Sequence, residues 1–380
     1  MNHSEENIYL LTMSEIIIGV LTALYVGLLL FFALGLLRAK RASIKGPATL
    51  GVSVIVPLRN EEAFVTRTLN ALEAQDYKGK WEVICVNDRS TDQTPALLES
   101  FAATHPRFSV VHIPLEAPFL ESPKKRALET GFAHAKYEIL MTMDADCIPP
   151  KCWVTSMASQ FVGNISIVQG PKKNTGSRSL VHTYQKLETL GYTCIEAAGF
   201  SMGTPMVASA AALAYKKDLF FKVGGFGDLV HLSSGDDDML VHKMVKEPNV
   251  DFCYNLDPEA VVETAPVDSW RGLLNQRARW ASNSTNYSNH AYTFLLTLIY
   301  TFYVWLLLSP WLAIFAGFPW EWFLIPFACK IIADTLFLTI GAVRLRISSL
   351  LFAIPHGELL QIPLIVLAVP MGIFKIFKWK

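Results

Sequence analysis

Two kinds of apolar pattern alternate along the chain. Ile16 to Leu37 is almost unbroken apolar, long enough to cross a bilayer. The pattern returns from Tyr292 to Phe315, from Trp322 to Val343, and over 350–377, where His356, Glu358, Pro363 and Pro370 interrupt it. Between these lie short apolar runs separated by helical-period stretches. They predict strands at Val52–Val56, Trp81–Val86, Phe108–His112, Ile139–Met143 and Ser166–Gln169. Helices are predicted at 61–75, from Ser90 to about Thr104, and at 124–135, 178–198, 216–222 and 236–247, with Asn60 and Ser90 as N-caps. Strands alternating with helices at this spacing imply right-handed crossovers and a mainly parallel sheet. The expected division is a polar N-terminus (1–13), a transmembrane helix (14–37), an α/β domain (50–265), an interfacial helix (266–290), transmembrane helices at 291–316 and 321–343, and a transmembrane or re-entrant segment at 350–377.

Composition agrees with membrane insertion. Hydrophobic residues make up 52% of the 380, charged residues 17%, and mean hydropathy is +0.32, too apolar for an ordinary soluble protein. Lysine plus arginine equals aspartate plus glutamate at 33 each, and no basic-aromatic stripe is present, so nucleic acid is not an expected partner. The six cysteines form no C-x-x-C, which argues against zinc and against a disulfide framework. Arg38, Lys40, Arg41 and Lys45 follow the first apolar run, which by the positive-inside rule puts the α/β domain in the cytoplasm. Lys330 and Asp334 stand four apart in an apolar run and are expected to pair on one helix face.

Candidate chemistry sits at the strand ends, where ligands gather in open α/β sheets. Pro57, Arg59, Asn60 and Glu61 follow the first strand and Asp88 ends the second; such loops suit a nucleotide's base, ribose and pyrophosphate. Asp144 and Asp146 close the fourth. Two hard carboxylates one residue apart suit Mg²⁺ or Mn²⁺, although on their own they read first as a solvated turn. Lys124, Lys125 and Arg126 at a helix start oppose the helix dipole and point to a local anion such as a phosphate, or else to a solvated basic turn. Asp236, Asp237 and Asp238 repel one another, so one of them with a raised pKa suits a general base; the plainer reading is first-turn residues favoured by the dipole. Gln276, Arg277, Arg279 and Trp280 lie at helical spacing before an apolar run, as an interfacial helix with snorkelling arginines or as a phosphate and acceptor site. The Rossmann glycine fingerprint is absent.

In their order, these motifs resemble family 2 glycosyltransferases of the GT-A fold, over roughly residues 50–285. The resemblance implies an α/β, Rossmann-like cytosolic domain with one N-terminal and about three C-terminal transmembrane helices. It implies that Asp88 contacts uracil and ribose, with Asn87 replacing the family's first aspartate, and that Lys124 lies near the nucleotide, with a proline where the family has glycine. Asp144 and Asp146 become the D-x-D that binds metal and diphosphate. Asp237 becomes the general base, and Asp236 stands where the family has glutamate. Gln276, Arg279 and Trp280 match the Q-x-x-R-W signature of hyaluronan- and cellulose-type synthases and ceramide glucosyltransferases. The activity implied is a metal-dependent, inverting hexosyl transfer from a UDP-sugar to an acceptor at the bilayer of the cell envelope (inner or plasma membrane), either a lipid or a growing glycan. The layout of one plus about three helices favours a lipid. A processive polysaccharide synthase is the alternative, and a nucleotide-sensing transport or scaffold protein the alternative from another class.

Overall fold

A computed structural model describes residues 3–39, 49–117, 122–287, 289–346 and 348–378. The basic residues Lys40, Arg41 and Lys45 therefore lie outside the described residues. The chain divides into two compact units, one made of residues 1–37, 267–343 and 347–380, the other of residues 38–266 and 344–346.

The second unit is α/β. Its strands are β1 (Val52–Leu58), β2 (Trp81–Asp88), β3 (Phe108–Ile113), β4 (Ile139–Thr142), β5 (Cys147–Ile148), β6 (Ile165–Gln169), β7 (Lys172–Asn174), β8 (Leu213–Lys216), β9 (Asp251–Tyr254) and β10 (Val262–Thr264). The first helix of the chain, α1 (His3–Arg38), belongs mostly to the other unit. Those of the α/β unit are α2 (Val65–Glu73), α3 (Thr94–Ala102), α4 (Pro123–His134), α5 (Trp153–Ala158), α6 (Leu180–Ser201), α7 (Lys217–Lys222) and α8 (Asp238–Met244). Seven strands form one sheet in the order β3-β2-β1-β4-β8-β6-β9. All neighbours pair in parallel except at β8, which is antiparallel to both β4 and β6. A smaller sheet, β5-β10-β7, starts where β4 ends.

The central strands are buried, apart from half-buried Pro57 in β1, as expected of largely apolar strands in a parallel sheet covered on both faces. Burying Val54, Val56, Val83, Met141 and Trp153 in one cluster removes their surface from water at roughly 25 cal/mol per Å². Gly131 lets α4 lie close on the sheet: a Cβ there would stand 2.5 Å from Ile55 Cγ2 and 3.1 Å from Val86 Cγ2. Register aligns Leu58 with Asn87 and Ile55 with Thr142, so β1, β2 and β4 deliver their following loops to one sheet edge.

Two capping expectations are corrected. The helix after β1 begins at Val65, with Phe64 at its N-cap position, and Asn60 instead takes a left-handed backbone (φ 54°). The helix after β2 begins at Thr94, past Ser90. Both polar side chains serve another purpose. Asn60 N donates to Ser90 Oγ at 2.9 Å, and Thr91 N donates to Asn60 Oδ1 at 2.8 Å, tying the two strand-end loops together.

The other unit holds α1, α9 (Trp270–Ala281), α10 (His290–Ala316), α11 (Glu321–Leu345) and α12 (Ile354–Ile373). Among the described residues, four stretches are helical, long and apolar enough to cross a membrane: Met13–Arg38, His290–Ala316, Glu321–Leu345 and Leu350–Ile373. The first helix extends back through the polar N-terminal residues to His3. Lys330 and Asp334 pair at 2.6 Å as their spacing predicted. The pair is not alone: Lys330, fully buried, also binds Glu358 and, at 3.0 Å, Gln361 of α12. Tyr25 of α1 donates to Asp334 at 2.8 Å, and Tyr303 of α10 donates to Gln361 at 3.0 Å. Four helices thus meet on one buried polar group, which satisfies charges that lipid could not.

Candidate active site

The loops at the carboxyl edge build the site. The turn after β4 is fixed on one side by Thr68 of α2, which donates to the carbonyl of Ala145 at 2.7 Å. On the other side Thr142 donates to the carbonyl of Ala210 at 2.7 Å. Asp144 and Asp146 project from this turn, both partly exposed. A small pocket opens beside Asp146, lined by Phe64, Arg67, Thr68, Ile148, Thr175 and Glu263. Among the described residues, no cluster of three or more His, Cys, Asp or Glu side chains forms a metal cage. The donor set fits a hard divalent ion that takes one or two protein carboxylates and completes its shell from phosphate and water.

The first turn of α4 ties the edge together. Lys124 forms ion pairs with Asp144 at 2.7 Å and Asp236 at 2.8 Å. Lys125 is buried and donates to the carbonyls of Leu229, Leu232 and Ser234 at 2.7, 2.7 and 2.6 Å. Arg126 pairs with Asp88 at 2.7 Å, and Arg89 meets the same carboxylate oxygen at 2.8 Å. Neither a phosphate nor a solvated turn is needed to explain this basic run. Its anions and acceptors come from the protein: two aspartates for Lys124, three peptide carbonyls for Lys125 and Asp88 for Arg126.

Gly235, at φ 87° in the left-handed region that favours glycine, turns the chain into Asp236. Asp237 caps α8 through Asp238 N at 2.9 Å and accepts from Ala210 N at 3.2 Å. Burial, then repulsion from Asp236 and Asp238, pushes its carboxyl up to about 7. Asp236 moves the other way: despite burial, the Lys124 ammonium and the nearby Lys125 hold it low. One carboxylate thus stays ionised while its neighbour titrates near neutrality, the separation of roles that acid–base chemistry requires.

Pro57 lies within β1, and Arg59, Asn60 and Glu61 follow it. Glu61 N donates to Thr94 Oγ1 at 2.8 Å, so this loop and the one after Asp88 form one wall. Gln276, Arg277, Arg279 and Trp280 belong to α9 in the other unit. There the Arg277 guanidinium stacks on Trp280 at 4.0 Å and binds Gln276. Within that unit, Asn275 exchanges two hydrogen bonds with the Lys378 backbone, at 2.6 and 2.8 Å.

Sequence reading missed Glu196. It lies on α6, its side chain fully buried, with no hydrogen-bond donor on either oxygen and the Lys172 ammonium 3.6 Å away. Burial pushes its carboxyl up to about 7, and the charge of Asp237 adds to the effect. The available signal was a glutamate flanked by Cys194, Ala197 and Ala198, on a face where neighbours are apolar.

A mainly parallel sheet with one reversed strand, and an acidic turn at its carboxyl edge, define a GT-A fold. The solved mannosyltransferase PcManGT from Pyrobaculum calidifontis, in complex with GDP-Man and Mn²⁺, shares it, with TM-score 0.58 and 20% identity over 95% of this chain and 99% of that one. Residues 53–220, most of the α/β unit, match the family model for glycosyl transferase family 2, which supports a family 2 glycosyltransferase. The "Probable glycosyltransferase YdaM" of Bacillus subtilis is 25% identical over 244 residues, 60% of this chain and 54% of its own length. The poly-beta-1,6-N-acetyl-D-glucosamine synthase of Staphylococcus epidermidis is 26% identical over 237 residues, 61% of this chain and 54% of its own. The chain thus spans about half the length of these curated relatives.

Proposed function

We infer that the protein moves a sugar, with inversion, from a nucleotide sugar to a membrane-associated acceptor. One observation carries this reading: Lys124 joins Asp144 at the end of β4 to Asp236, which puts the D-x-D turn beside Asp237, the carboxyl poised near neutral pH. In this reading Asp88 and the wall of Pro57, Arg59, Asn60 and Glu61 hold base and ribose of a UDP-sugar. Lys124 and Asp144 face the diphosphate. A Mg²⁺ or Mn²⁺ ion held by Asp146 and Asp144 would offset negative charge on the departing diphosphate. Asp237 takes the proton of the acceptor hydroxyl as that oxygen attacks the anomeric carbon; the bond to the diphosphate breaks on the opposite face, and its electron pair leaves with the diphosphate. Gln276, Arg277, Arg279 and Trp280 are assigned to the diphosphate and acceptor on their motif alone.

The basic residues after the first apolar run support a cytoplasmic domain, on the side where nucleotide sugars are made. One plus three long apolar helices favour a lipid acceptor in the inner or plasma membrane. The likeness to a poly-beta-1,6-N-acetyl-D-glucosamine synthase supports a second reading, processive synthesis of a glycan. Incubating the purified protein with radiolabelled nucleotide sugars, Mg²⁺ or Mn²⁺ and membrane lipids tests both. A single labelled lipid supports the first and a ladder of long polymers the second, whereas transfer from no donor overturns the assignment.

A further inference from the structure

Lys125 falls outside the roles assigned so far, yet it is among the largest side chains with no exposed surface. A lysine ammonium has three donors and no acceptor. Here all three are used, on the carbonyls of Leu229, Leu232 and Ser234. These carbonyls belong to one turn, which runs from a short 3-10 helix (Gly227–His231) into Gly235 and the acidic triplet. Buried charge with only backbone partners is an expensive way to hold a surface loop. It is explained if the position of that loop matters.

The preceding residue completes the device. Lys124 grips the Asp236 side chain at 2.8 Å while Lys125 grips the Ser234 carbonyl at 2.6 Å. Adjacent residues of α4 thus hold the segment just ahead of Asp237, one by side chain and one by backbone. Lys124 reaches Asp144 as well, so the helix that meets the D-x-D turn also fixes the approach to the carboxyl across from it.

We propose that Lys125 is a positioning residue for sugar transfer, whose buried ammonium fixes the 229–234 turn and so sets the reach of Asp237 toward the donor's reacting carbon. This rests on the reading of Asp237 as the base. Lys125 touches neither substrate nor Asp237 in this account; it acts through the turn. Burial lowers its pKa to about 8, against the opposing pull of Asp236, Asp237 and Asp238 and with a further push from Lys124. The ammonium is therefore charged, with all three donors in place, at neutral pH.

The test compares full-length wild type with Lys125→Met and Lys125→Arg in detergent. Hydrogen exchange followed by mass spectrometry reads the turn without any need for activity. Faster exchange in 229–238 of Lys125→Met, with β1, β2 and β4 unchanged, is expected, and unchanged exchange there overturns the proposal. With the donor that gives transfer, kcat of Lys125→Met is expected to fall about 100-fold, the scale for misplacing a reacting group by about 1 Å. The donor KM is expected to stay at its wild-type value, and Lys125→Arg, which keeps the charge and its donors, to recover part of kcat. A wild-type kcat in Lys125→Met, or equal losses in kcat, donor KM and exchange throughout the domain, would mean that Lys125 does not position the base. Absence of transfer in the wild type is a separate result that overturns the transferase reading; the exchange comparison then still decides whether Lys125 holds the turn.

Discussion

Replacing Glu196 with glutamine is expected to stabilise the protein above neutral pH and to leave it unchanged in acid. The carboxyl is fully buried, and its oxygens meet no hydrogen-bond donor. Burial raises it from its ordinary 4.5 to about 7. Below pH 4.5 it is neutral in both folded and unfolded chains. Between 4.5 and 7 the unfolded chain releases the proton while the folded chain keeps it, so stability falls as pH rises; above 7 the penalty is constant. At about 1.4 kcal/mol per pH unit, the gap corresponds to roughly 3 kcal/mol. That figure already contains the attraction of Lys172, one of the opposing influences on this carboxyl. Lys172 keeps a partner in the variant, because it also donates to Ser209 Oγ at 2.5 Å. Glutamine keeps the shape and is neutral throughout. For a domain of this size roughly 2–4 °C per kcal/mol is expected, so the melting temperature at pH 8 rises by several degrees over wild type. The assay is tryptophan fluorescence during thermal unfolding in detergent, at pH 8 and pH 4.5. A variant less stable at pH 8, or a difference of the same size at both pH values, would refute the reasoning.

Asp237→Asn is expected to lower transfer by about 10²- to 10⁴-fold while nucleotide binding, read by calorimetry with UDP, is retained. In the wild type, kcat/KM is expected to rise with pH through about 7 as Asp237 loses its proton, and a profile flat from pH 5.5 to 8.5 would count against it as base. Chelation with EDTA is expected to stop transfer, Mn²⁺ or Mg²⁺ to restore it, and Asp146→Asn to raise the metal concentration needed; activity undiminished in EDTA would remove the metal from the scheme. Gly131→Ala places a methyl 2.5 Å from Ile55 Cγ2, on a stiff β-branched side chain in a buried strand, and is expected to destabilise by about 1–3 kcal/mol, read as a lower melting temperature.

The parallel half of the sheet was legible because each of its strands is a continuous apolar run between turn residues. The reversed strand β8 was not. Leu213–Lys216 follows Ala210, Ala211 and Ala212, a stretch without β-branched residues, and becomes a strand only because β4 and β6 stand ready on either side. Asp144 and Asp237 carried a signal in their residue type and neighbours. Asn60 and Ser90 have the chemistry of caps, and that chemistry was spent between loops whose closeness the sequence does not state. Lys125 stood out only as one of three basic residues at a helix start; its actual partners left no trace, because they are backbone carbonyls more than a hundred positions away and carbonyls look alike in every sequence. The pairing of Lys330 with Asp334 follows from one helical turn, whereas Glu358 and Tyr25 come from other helices.

That buried group bears on how the chain is made. When α11 emerges from the ribosome, Lys330 has Asp334 to neutralise it, one turn away on the same helix. Glu358 does not yet exist, and when it is synthesised it adds a second carboxylate that only the existing lysine can match. Tyr25, made well before α11, donates to a residue 309 positions later. Assembly of this group is thus a late event: the earlier helices keep polar faces unmet until α12 arrives. Nascent chains halted before Glu358 are expected to turn over faster in a pulse-chase than finished ones, and Lys330→Met in the finished chain to be degraded at a similar rate, since it strands two carboxylates among helices that have nowhere else to discharge them.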